Sequence, residues 1–73
     1  MKNYYVVNVD TIGELGEVFD NYDDANEYHS KWLNDISTEE QRKNNSYIVK
    51  LHTTDKGDVV GSETVMIWEG DYA

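Results

Sequence analysis

The sequence predicts an α+β domain of order ββαββ, an antiparallel four-stranded sheet with one helix packed on one face. Three observations carry this reading. Segments rich in β-branched and aromatic residues alternate with a period of two near both ends of the chain. One central stretch repeats its apolar residues at helical spacing. Glycine and Asn/Asp clusters punctuate the joins, and neither Pro nor Cys occurs anywhere.

The first strand is Tyr4-Tyr5-Val6-Val7-Asn8-Val9, where Tyr5, Val7 and Val9 share a face by alternation. Asp10-Thr11-Ile12-Gly13 reads as a turn, with Gly13 free to take positive φ. Leu15 to Phe19 returns as a second strand, weakened by Gly16. Asn21 is a helix N-cap, and Asp23 and Asp24 complement the positive end of the helix dipole. Ala25, His29, Trp32, Leu33 and Ile36 form the apolar stripe, bordered by Tyr28, with Trp32 as the core anchor and His29 at the core edge. Ser37-Thr38-Glu39-Glu40 starts a short second helical turn that Asn44-Asn45 ends. Tyr47 to Thr53 is the third strand, and Thr54 to Asp58 a hairpin connection with Gly57 left-handed. Val59-Val60 and Thr64 to Trp68 make the fourth, with Gly61 expected to mark a bulge between its halves.

Both alternations of the last two strands are apolar. Tyr47, Val49 and Leu51 oppose Ile48 and His52; Val65 and Ile67 oppose Met66 and Trp68. One helix cannot cover both sets, so an open apolar face is expected, and with it a homodimer, the commonest oligomer. Trp68, Tyr72, Tyr4, Tyr5 and Tyr22 are candidates for exposed rings that contact protein.

Seventy-three residues make one domain, 1–73, which buries only about 60% of its unfolded surface. Little apolar side chain is left over for a cavity of about 300 Å³ or more, which argues against an enzyme. The absence of Cys excludes disulfides and thiolate chemistry and favours a cytoplasmic location. Met1-Lys2-Asn3-Tyr4-Tyr5 lacks the apolar run of a signal peptide, and no apolar stretch is long enough to cross a bilayer. His29 and His52 form no zinc pair, and the Asp20–Asp24 and Asp55–Asp58 clusters fail the calcium-loop pattern. Gly13-Glu14-Leu15-Gly16 matches no phosphate loop, and no serine lies in a nucleophile motif. Neither a catalytic residue, a cofactor nor a metal is therefore expected.

Charge is the dominant signal. Fifteen Asp and Glu against six Lys and Arg leave a formal net charge of −9. That field repels nucleic acid and anionic membrane and attracts basic protein. From Asn3 to Ser30 there are seven acids, Asp10, Glu14, Glu17, Asp20, Asp23, Asp24 and Glu27, and no Lys or Arg. Helical neighbours three or four apart lie about 5–6 Å from one another. Alternate strand residues are separated by about twice the 3.3 Å rise. Both approach the separation of successive DNA phosphates, of order 6–7 Å along the wound backbone of one strand. The dipole accounts for Asp23 and Asp24, but not for Glu14, Glu17 or the missing bases.

Strand–turn–strand entering a helix as Phe19-Asp20-Asn21-Tyr22-Asp23-Asp24-Ala25, at this charge, resembles the small acidic host-takeover proteins of bacteriophages. The resemblance is one of size, charge and style across the whole chain. Members of the DNA-mimic inhibitor kind occupy the nucleic-acid site of a host protein, such as an HU-type nucleoid protein, RNA polymerase or a nuclease. It implies an inhibitor in the host cytoplasm, with the seven acids as surrogate phosphates and a basic DNA-binding host protein as partner. The alternative is a small interaction or structural module, antitoxin-like or adaptor, that uses the open sheet face. Charge would then serve solubility alone.

Overall fold

The computed structural model describes residues 2–70. Strand β1 spans Lys2–Val9, β2 Gly13–Phe19, β3 Ser46–Thr53 and β4 Val59–Trp68. Helix α1 spans Tyr22–Lys31 and α2 Glu39–Arg42, with a wider π-helical turn, Trp32–Ile36, between them. The strands form one antiparallel sheet in the order β2-β1-β3-β4, so the expected ββαββ architecture is the observed one.

Local chemistry places the joins where the residues allow them. Gly13 closes the first turn at φ 85° and Gly57 the second hairpin at φ 89°, conformations that cost L side chains energy. The Asn21 side chain caps α1, accepting the Asp24 backbone N–H at 2.8 Å. Thr38 and Gln41 form a reciprocal capping box at the start of α2, at 3.1 and 2.9 Å.

Helix α1 packs on the face that carries Val7 and Ile48, with Ala25 between them; all three are buried. Tyr5, Leu15, Phe19, Tyr22, Tyr28 and Met66 close the rim of this core. Ring contacts tighten the rim: Tyr5 meets Tyr22 edge-to-face at 6.3 Å, and Phe19 meets Tyr28 at 5.2 Å with the rings tilted by 42°. Trp32 is buried as the stripe requires, but Ile36 is 63% exposed. The π turn explains the difference. The Ser37 N–H bonds back five residues to the Trp32 carbonyl at 2.7 Å, and the extra residue per turn rotates Ile36 off the stripe.

Strand β4 runs unbroken past Gly61, which pairs with His52. The bulges fall on either side of Gly61: the register shifts leave Val60 and Val65 as the extra residues. A further irregularity in β1–β2 lies at Gly16, whose φ is 91°. Tyr4, Tyr5, Tyr22 and Trp68 are half-buried rather than exposed, because each lies beside a neighbouring strand or ring; Tyr72 lies outside the described residues.

Register sorts the opposite face into four rows. Glu14, Asn8, Tyr47 and Ile67 form one, Val18, Val6, Val49 and Thr64 the next, Tyr4, Leu51 and Ser62 the third, and Lys2, Thr53 and Val59 the fourth. No second layer covers these rows among the described residues.

Candidate functional site

All seven acids of the base-free stretch are exposed. Among the described residues none of them is in an ion pair. Asp24 alone has a side-chain partner, accepting Asn21 Nδ2 at 3.0 Å. By contrast Glu63, outside the stretch, sits 3.4 Å from His52 Nε2, and His52 Nδ1 lies 3.0 Å from Asn3 Oδ1.

The acids do not form one straight row. They wrap the β2 edge of the sheet. Glu14 pairs with Asn8 and so sits at the corner of the bare face. Glu17 follows the irregular stretch at Gly16 on the edge strand. Asp20 lies in the bend before α1, and Asp23 and Asp24 in its first turn. Glu27 is one turn further, so Asp23 and Asp24 lie four and three residues from it, about 5–6 Å away. Asp10 stands apart at the end of β1, its N–H bonded to the Asn45 carbonyl at 3.0 Å.

Asp24 and Glu27 border a shallow groove of about 260 Å³ whose floor is Phe19 and Tyr28. Lys31 closes its far end, four residues beyond Glu27. The one Lys of α1 thus ends the acidic flank. A wider, open hollow of about 570 Å³ lies between Thr11 and the Thr38–Asn44 segment, lined by exposed or half-buried polar groups.

The pairing of His29 with Ser46 was not legible in the sequence. The imidazole Nε2 and the Ser46 Oγ lie 2.6 Å apart, both groups fully buried, with the Trp68 ring edge-on to His29 at 6.2 Å. Burial holds the His29 pKa below its ordinary value. A hydroxyl beside an imidazole is the raw material of a nucleophile, but no substrate reaches a pair enclosed in the core. Here it ties α1 to β3. Seventeen residues separate the two, and only the register that sets Ser46 opposite Val9 brings them together.

No three His, Asp or Glu side chains converge as a metal-binding group among the described residues. No helix among them is long and apolar enough to cross a membrane. No protein-family model, curated protein or solved structure matches the chain.

Proposed function

We propose that the protein is a non-enzymatic binder that uses its acidic β2–α1 flank to occupy the DNA-binding surface of a basic protein. One observation carries the reading: seven exposed carboxylates that no base within the described fold neutralises. Carboxylates without internal partners keep their charge available for an external one. They sit on a strand and a capped helix rather than on a loose tail, so their spacing is held before contact. Their wrapped arrangement suits a concave basic groove better than a flat surface. The resemblance to phage DNA mimics points the same way. Glu14, Glu17, Asp20, Asp23, Asp24 and Glu27 are the surrogate phosphates, with Asp10 at the periphery.

The test is competition on a basic DNA-binding protein such as an HU-type nucleoid protein. The chain should displace duplex DNA while binding no DNA itself. Its affinity should fall steeply as the Debye length shrinks from about 10 Å at 0.1 M salt to about 3 Å at 1 M. Glu17→Gln alone should be mild, because exposed charges act mainly through long-range attraction. Asp20→Asn, Asp23→Asn, Asp24→Asn and Glu27→Gln together should weaken binding by about tenfold or more. A folded quadruple variant that binds as tightly as the wild type, with no salt dependence, would reduce the flank to a solubilising surface.

A further inference from the structure

We infer that the groove between β2 and α1 receives an arginine side chain of the basic partner. The inference deepens the acidic-flank reading and rests on it for the partner, while the chemistry is read from the groove itself. Phe19 at the end of β2 and Tyr28 on α1 form the floor, with Asp24, Glu27 and Lys31 around it. Asp24, Glu27, Tyr28 and Lys31 stand at i, i+3, i+4 and i+7, so one face of α1 presents all four. At about 260 Å³ the space falls short of a small-molecule site, which begins at about 300 Å³, and suits one side chain.

Charge and rings together select the occupant. A bare acidic row attracts any cation, but here two carboxylates stand beside aromatic faces. The Phe19 and Tyr28 rings lie 5.2 Å apart and are tilted by 42°, an open wedge rather than a closed stack. Such faces attract a cation within about 6 Å of the ring centroid. Glu27 has no side-chain partner among the described residues, and Asp24 engages only Oδ2, with Asn21 Nδ2 at 3.0 Å. A guanidinium matches this set better than an ammonium. It is planar and weakly hydrated, so it lies flat on a ring, and its forked donors serve two carboxylates whose Cβ atoms are about 5–6 Å apart. An ammonium is compact and strongly hydrated, and gains less from the rings.

Lys31 fixes the direction of entry. It closes one end of the groove, is in no ion pair among the described residues, and repels a second cation there. The guanidinium therefore seats between Asp24 and Glu27, toward the start of α1. The positive dipole end of the helix opposes a cation at that place, and Asp23 and Asp24 in the first turn offset it.

NMR titration of the wild-type chain with N-acetyl-arginine amide, and separately with N-acetyl-lysine amide, at low salt tests this. The caps leave the side chain as the only charge on each probe. Arginine should shift the Phe19 and Tyr28 ring signals saturably and bind about two- to fivefold tighter than lysine. Tyr28→Leu keeps the net charge of −9 and should weaken arginine by a similar factor, whereas Tyr28→Phe, which keeps the ring face, should not. Glu27 is exposed, so Glu27→Gln should stay folded and carries the test if Tyr28→Leu does not fold; it should weaken arginine about twofold or more. Lys31→Gln should tighten arginine about twofold. Ring signals that do not move, or lysine that binds as tightly as arginine, overturn the inference. So does arginine binding unchanged in a folded Tyr28→Leu or in Glu27→Gln, which would leave only diffuse attraction by the flank. Failure of the acidic-flank reading alone looks different: DNA competition is lost while the capped arginine still shifts both rings.

Discussion

The two faces of the sheet are built from the same four strands, yet they solve different problems. On the covered face Val7 and Ile48 pair across β1 and β3 beneath Ala25, and all three are buried. One residue away along each strand, Val6 and Val49 pair on the bare face. Val6 is only 4% exposed although no helix lies over it; Val18 and Val49 flank it on the adjacent strands. A central valine on a sheet can thus be hidden by its own cross-strand neighbours, whereas edge residues such as Val18 and Ile67 cannot. The covered face supplies stability, and the bare one supplies surface.

The largest expected effect follows from that contrast. Ile48→Ala empties a site under α1 and should cost about 2–5 kcal/mol, a large share of a small domain's stability. Ile67→Ala, on the other face, should fall within about 0.5 kcal/mol when measured in dilute solution. Urea denaturation at low micromolar concentration compares the two, and equal losses would break the distinction between the faces.

Gly70 tests the end of β4. A Cβ there would lie 2.5 Å from the Lys43 carbonyl oxygen, while the Gly70 N–H donates to Asn45 Oδ1 at 2.8 Å. Gly70→Ala should therefore cost about 1–3 kcal/mol by overpacking. Thermal melts read this directly, and an unchanged melting temperature would mean that the junction yields freely.

Asn21→Ala removes the cap that starts α1 over the covered face and should cost about 1 kcal/mol. If the acidic flank needs a stiff helix start, the same change should also weaken partner binding without altering net charge. Denaturation and competition assays on one preparation separate the two effects.

The subtlest expectation is a pH slope. Burial keeps the His29 pKa below 6.5, and the groups facing it, the Ser46 hydroxyl and the Trp68 ring, are uncharged. In the unfolded chain His29 titrates near its ordinary value, about 6.5. Below that pH the unfolded state takes up a proton that the folded state refuses, so stability is full above it and falls as the pH drops toward the folded pKa. Subtracting the profile of His29→Gln isolates the imidazole. A wild-type profile parallel to that of the variant between pH 7.5 and 5 would show that His29 protonates as easily folded as unfolded.

What the sequence made legible was local. Gly13, Gly57, Asn21 and the Thr38 start of α2 sit where short-range chemistry puts them. Period-two alternation assigned Tyr5, Val7 and Val9 to one face, and the exposure of the seven acids followed from their polarity. The rest depended on distance. The π turn that turns Ile36 outward arises at a junction where one extra residue must be absorbed. The Val60 and Val65 bulges shift the alternation of β4, so Gly61 attracted a role that its valine neighbours hold. The wrapping of the acids about the β2 edge, and the groove that Asp24, Glu27 and Lys31 line together, needed the helix direction as well as the spacing.

The strand order has a kinetic consequence. β1–β2 and β3–β4 are each hairpins that close over short loops, whereas the central β1–β3 seam joins Lys2 to Thr53 and Val9 to Ser46. Chain-entropy cost grows with the length of loop that must close, so the hairpins and α1 form early and the seam sets the folding rate. Until it closes, Val6 and Val7 lie open on one half, and Ile48 and Val49 on the other. A change that loosens either hairpin should then slow folding less than one that weakens the Val6–Val49 and Val7–Ile48 pairs, which are made at the rate-limiting step.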